Sequence, residues 1–312
     1  GHSWLSDHPD KKINYNVNNN LDFKNSNLFK VIFLNKEYVN LDEKLNFIKE
    51  KKFNLVFTHH HEIYKYEKLT KVKFFQIPFA FSRELLNQNN NTKYYDICFT
   101  GILQNQNKNS LQSDIRIQIM NLFYFCLFDL PILKRKQYKK LKIYWNAIPR
   151  NKFGKILKKF FFRSLNNEEY IEILKISKIS LNCLSPLNLI SPRYFESIAC
   201  NSQILCEESF LYKDIFKNLK LKQFKTDLSN FDKSLFELLN AVNSNNIKKP
   251  DIFLSENSWR NRAEDVIKKH TDVLVIVIVR LPITRNLSNF WENIHKFMPF
   301  YKNKSIQQID VV

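Results

Sequence analysis

Glycine is nearly missing from this chain: there are three in 312 residues, at positions 1, 101 and 154. So few leave no room for a GxGxxG phosphate loop, a collagen-like repeat or the glycine-marked blades of a propeller. No apolar run reaches the ~18 to 20 residues that a transmembrane helix needs. The longest, Val273 to Val279, suits a strand. The five cysteines, at 98, 126, 183, 200 and 206, show no CxxC or other metal spacing and read as small buried hydrophobes of a reducing compartment. Acidic residues are scarce too, with 30 Asp and Glu against 49 Lys and Arg for a formal charge of +19. With no secretory signal in view, the expected location is cytoplasmic.

What is present describes an α/β protein. The chain is 44% apolar and 14% aromatic, enough for a sizeable core, and its length fits two modest domains better than one. The opening GHSWLSDHPD has no strand before it, so a truncated first domain is expected, and Asn14 to Asn27 reads as a polar connection. Val31 to Leu34 reads as a strand, Leu41 to Lys51 as a helix and Leu55 to Thr58 as a second strand, a βαβ pattern that implies a parallel sheet. Phe74 to Pro78 is a third strand and Asn87 to Thr92 a polar linker. A second domain then opens with a strand at Ile97 to Thr100, turned by Gly101, where backbone N–H groups could approach a phosphate. Ile115 to Phe128 reads as a buried apolar helix, Lys142 to Trp145 as a strand, and Asn167 as the cap of a helix running to Ile176. Gln223 to Lys225 is a candidate edge strand, and helices are expected over Asp227 to Val242, Glu256 to His270 and Leu287 to Phe297.

The most informative stretch is Lys178 to Glu207, KISLNCLSPLNLISPRYFESIACNSQILCE. Two short apolar runs, Ile179 to Asn182 and Gln203 to Cys206, read as buried strands around a helix with both ends marked. Ser191 is its N-cap, Pro192 its first residue and Asn201 a left-handed stop, while Phe195, Ile198 and Ala199 form the inward stripe. Parallel sheets bind ligands beyond the carboxyl ends of their strands. Arg193, in the first turn, adds a fixed positive charge where helix-end N–H groups already favour an anion such as a diphosphate. Glu196 lies three residues on and can accept hydrogen bonds from ribose hydroxyls. The competing reading of the same spacing is an ordinary surface ion pair.

RYFESIAC followed by a strand resembles the donor-site signature of bacterial glycosyltransferases of the group 1 type, in particular the spore-maturation-protein-like branch. SKISLN before the helix, the acidic residue after the strand, YYDICFTG at Tyr94 to Gly101, PFAF at Pro78 to Phe81 and RAEDVIKKHT at Arg262 to Thr271 are similar in the same order. The resemblance implies the GT-B fold, two Rossmann-like domains, with a partial acceptor-side domain at 1–86, a linker at 87–93, a donor-binding domain at 94–284 and a returning helix and tail at 285–312. It implies a donor site built from Gly101, Asn188, Ser191, Arg193, Tyr194 and Glu196. The chain has Asn201 where the family usually has Gly, and Asn188 where related transferases often carry a second Glu; Asn tolerates the left-handed turn and can still bond a hydroxyl, without charge. The implied activity is transfer of a sugar from a nucleotide-sugar donor to a polysaccharide, lipid-linked or protein acceptor. No Asp-x-Asp motif occurs, so neither a metal nor another cofactor is expected.

Two further features remain. His59, His60 and His61 stand at the end of the second strand, where an imidazole could take a proton from an acceptor hydroxyl; the plainer reading is a locally bonded histidine cluster. Asp7 and His8 are a second, minor catalytic pair. Residues 134–163 hold twelve Lys or Arg and no acid, interleaved with aromatics. They suit RNA, an anionic membrane surface at the inner face, or a merely solvated basic face. No RNA-binding motif accompanies them, so nucleic acid is not the expected partner. The alternative function from another class is a non-catalytic, transferase-like protein that holds RNA or an acidic polymer.

Overall fold

The computed structural model describes residues 30–34, 41–88, 92–103, 114–161, 164–185, 188–244 and 250–269. The chain divides into two compact units, one holding 30–82 with 188–189 and 257–269, the other 83–185 with 190–256. Residues 257–269 thus group with the first unit, where the sequence reading assigned them to the second domain. Asp7, His8, the connection before residue 28, the strand expected at Val273 to Val279 and the helix expected at Leu287 to Phe297 lie outside the described residues. Among the described residues no helix is long and apolar enough to cross a membrane.

In the first unit, β1 (Val31–Leu34), β2 (Leu55–Thr58) and β3 (Lys73–Gln76) form a parallel sheet in that order. Every residue of β2 is buried, as a central parallel strand covered on both faces requires. Helix α1 (Leu41–Glu50) links β1 to β2. Helix α2 (Ile63–Thr70), which the sequence reading lacks, links β2 to β3 and stops at Lys71 in the left-handed region. Leu34, Leu45, Ile48, Val56, Tyr66 and Phe74 make the core.

The second unit is built on a five-stranded parallel sheet. Its strands are β4 (Tyr95–Ile102), β7 (Ile143–Ile148), β8 (Ser177–Asn182), β9 (Gln203–Glu207) and β10 (Lys222–Phe224), in the order β10-β9-β8-β4-β7. The chain leaves β4 for β7 on one side and returns to β8 on the other. The order of connection therefore reverses between β4 and β8, the place where such sheets open a ligand crevice at their carboxyl ends. Helices α3 (Ile115–Phe123) and α8 (Phe231–Asn243) cover one face, with Ile97, Phe99, Phe123, Leu181, Leu205 and Leu235 in the core between. Helices α5 (Asn167–Lys175) and α6 (Pro192–Ala199) cover the other. The second unit also holds α4 (Lys152–Phe161) after β7, then α7 (Tyr212–Ile215) and α9 (Asp251–Glu256), while α10 (Trp259–Lys269) groups with the first unit. All five cysteines are free thiols of the second unit, and four are buried.

Three expectations are corrected. Gly101 is not the turn after β4 but part of the strand, which runs on through Ile102 paired with Ala147 and Ile148. The expected helix Ile115 to Phe128 ends at Phe123, and the chain turns into an antiparallel hairpin, β5 (Tyr124–Leu127) and β6 (Leu130–Lys134). Phe128 and Asp129, at φ 52° and 63°, form its two-residue turn with both central residues left-handed, as a hairpin twist demands. The cap of α5 is Asn166 rather than Asn167, locked in a reciprocal capping box with Glu169.

Candidate functional site

The segment from β8 through α6 to β9 has the strand, helix and strand expected of it. Pro192 opens α6, and Asn201 closes it at φ 55°. The N–H of Asn201 donates to the Ile198 carbonyl and that of Ser202 to the Ser197 carbonyl, the paired bonds of a Schellman stop. At the other end Ser191 occupies the N-cap position, yet its side chain makes no capping hydrogen bond.

Arg193, in the first turn of α6, reaches the β4–β8 switch. A Cβ added to Gly101 would lie 3.0 Å from one terminal guanidinium nitrogen and 3.3 Å from the other, so it would displace the guanidinium by a few tenths of an ångström, on a backbone whose φ of 156° L residues rarely adopt. The guanidinium carbon sits 5.6 Å from the centre of the Phe99 ring, one more side of the same seat. Arg193 Nε is buried with no hydrogen-bond partner, and so are Thr100 Oγ1 on β4 and Asn182 Oδ1 on β8. All three belong to the strands and helix that flank the switch point.

Glu196 is not half of a solvated ion pair, since it is only 8% exposed. Its Oε2 accepts a 2.7 Å hydrogen bond from the Tyr170 hydroxyl of α5. Burial and the neighbouring Glu196 charge push the Tyr170 phenol well above its ordinary pKa, with Arg193 opposing, so it stays a donor. Tyr194 turns the opposite way: fully buried, it shares a 2.9 Å hydrogen bond with the Tyr212 hydroxyl and packs on Phe216. That is a core role, not the donor-binding one expected of it. Asn188 is exposed, left-handed at φ 57°, and groups with the first unit.

Two further charged residues frame the same sheet edge: Arg116, which sequence reasoning missed, and Glu207, the acidic residue expected after the strand. Arg116 of α3 donates to the Ile102 carbonyl at 2.8 Å and to the Leu184 carbonyl at 2.6 Å, tying the end of β4 to the loop after β8. Its Nε is 4.0 Å from the buried Asp114. Glu207, at the end of β9, accepts the Leu184 N–H; burial raises its carboxyl pKa, while that N–H and Arg116 pull it back. The signal was a lone Arg in an otherwise apolar helix face. No family model and no curated protein matches this chain.

In the first unit the histidines prove unlike one another. His59 is 4% exposed, stacks on Phe79 at 3.5 Å between ring centres, and donates from Nδ1 to the Ile77 carbonyl at 2.7 Å. Burial lowers its pKa to about 3, so it is a neutral core imidazole and not the expected proton acceptor. His60 is equally buried, its Nδ1 accepting the Glu62 N–H. Only His61, stacked on His60, keeps some exposure; burial lowers its pKa, with Glu62 opposing. Among the described residues no cluster of three or more His, Cys, Asp or Glu is arranged to hold a metal ion.

Proposed function

We propose that this chain is a glycosyltransferase of the GT-B type, using the crevice between β4 and β8 to hold a nucleotide-sugar donor. The observation that carries the reading is the Arg193 guanidinium laid against Gly101 at the switch point, with a buried Nε that has no partner. A diphosphate is the guest such a seat suits: the guanidinium offers a rigid fork of donors, and the Arg193 backbone N–H in the first turn of α6 adds to it. Glu196, steadied by Tyr170, is the acceptor for ribose or sugar hydroxyls.

In the reaction the bond between the anomeric carbon and the leaving phosphate oxygen breaks as a bond forms to an acceptor hydroxyl. Charge grows on the departing nucleoside diphosphate, where the Arg193 guanidinium and backbone N–H stabilise it electrostatically. The acceptor proton passes to a base as that bond forms. The acceptor class is a cell-surface polysaccharide, a lipid-linked glycan or a protein.

A thermal-shift screen of nucleoside diphosphates and nucleotide sugars tests this. A ligand at a hundred times its dissociation constant adds about 2.7 kcal/mol to the folded state. The expected result is stabilisation by one base class, abolished in Arg193→Ala. If a folded wild type answers to none of them, the donor reading fails and the non-catalytic polyanion-binding alternative replaces it.

A further inference from the structure

The hairpin that interrupts the expected helix changes the meaning of the basic stretch beside it. Phe125, Leu127, Ile132 and Leu133 of β5 and β6 are each more than half exposed. On α4, Phe153, Ile156 and Phe160 recur at helical spacing as a second exposed apolar stripe, with exposed Lys152, Lys155 and Lys159 running alongside. These are one surface, not two. The rings of Phe128, at the hairpin tip, and Phe153 meet at 4.6 Å. Any Cβ at Gly154 would lie 2.2 Å from the Phe128 carbonyl oxygen, so α4 approaches the tip as closely as glycine permits. Lys158, the buried lysine of α4, ties the helix to the end of β7 through the Asn146 side chain and the Ala147 carbonyl. The acid at the tip, Asp129, is engaged by Arg150 and Asn151.

Apolar side chains kept in water on a braced surface, ringed by cations with the local acid neutralised, complement an anionic lipid surface. We infer that the β5–β6 hairpin and α4 together form a membrane-docking face, inserting Phe, Ile and Leu side chains at the headgroup boundary while the lysines meet anionic lipid phosphates. Charge complementarity favours this occupant over a second copy, since two such basic faces would place like charges together. An RNA would answer to the lysines but leave the aliphatic side chains without a role. None of the side chains changed in the test of this face belongs to the donor set of the proposed function, so the two tests fail independently.

The test is co-sedimentation of the full chain with vesicles of phosphatidylglycerol and phosphatidylcholine, against phosphatidylcholine alone. The anionic vesicles are expected to bind at least tenfold more tightly. Ile156→Ser with Phe160→Ser, and separately Lys155→Glu with Lys159→Glu, should each weaken binding at least fivefold while the melting temperature is kept. As a second readout, Phe160→Trp should fluoresce to the blue in anionic vesicles and be quenched by lipids brominated in their acyl chains. Absence of binding to anionic vesicles overturns the inference. So does binding that the Ile156 and Phe160 changes leave intact, that polyuridylate competes away and that gives no quenching, which is the signature of a polyanion surface. A dimer that those two changes dissolve, with no vesicle binding, assigns the face to a second copy and overturns it equally.

Discussion

A methyl group at position 101 would press on both terminal nitrogens of Arg193, on a backbone that L residues rarely adopt. Gly101→Ala is therefore expected to cost about 1–2 kcal/mol of stability and to abolish the nucleotide response of the thermal-shift screen even though it adds no charge; an unchanged response would mean that the guanidinium is not where the ligand binds. Tyr170→Phe tests the other arm. It removes a hydrogen bond to a carboxylate and should destabilise the second unit by about 1.5–3 kcal/mol in urea unfolding, with the double variant Tyr170→Phe, Glu196→Gln losing less than the sum. His59 carries a pH signature. Its imidazole titrates near 3 when folded and near 6.5 when unfolded, so below pH 6.5 the unfolded chain takes up a proton that the folded one refuses. The stabilisation is complete above pH 6.5 and is lost as the pH falls toward 3, by about 1.4 kcal/mol between pH 7.5 and 5.5. His59→Gln, which keeps a donor for the Ile77 carbonyl, should flatten the pH dependence of urea unfolding by that amount; an unaltered slope would contradict the neutral core histidine.

At the scale of elements, the Schellman stop of α6 offers a direct comparison. Asn201 holds a left-handed backbone at some cost, so Asn201→Gly is expected to raise unfolding stability by about 0.5 kcal/mol, the relief of strain exceeding glycine's extra chain entropy. The β8–α6–β9 segment was legible because each boundary had its own chemical mark: apolar runs for the strands, Pro192 at the start, Asn201 at the end. The hairpin had none. Tyr124 to Leu127 is as apolar as a buried helix turn, and Phe128-Asp129 lacks the Asn-Gly pair by which a two-residue turn is normally read. Within the candidate site, Arg193 and Gly101 could each be named from local pattern, but their contact arises only when β4 comes to lie beside β8. The anchoring of Arg116 on the Ile102 and Leu184 carbonyls was invisible for the same reason, since its partners are backbone atoms brought together by the sheet.

At the scale of the whole molecule, the second unit has a five-stranded sheet with helices on both faces and its own core. A fragment of residues 83–256 is therefore expected to unfold cooperatively by near-ultraviolet circular dichroism and to keep the nucleotide response; a fragment without fixed tertiary signal would show that the unit depends on the rest of the chain. The distribution of sulfur gives the same unit a private reporter. Cys98 and Cys200 lie in the core under α5 and α6, Cys183 in the core on the opposite face, and Cys206 on β9. Burial raises every one of these thiols, that of Cys200 to about 12. An alkylating reagent meets almost no thiolate there until the protein opens. Because no cysteine occurs outside residues 98–206, the order in which these positions become alkylated is a clock that times the separation of each helical layer from the sheet, without a label being introduced.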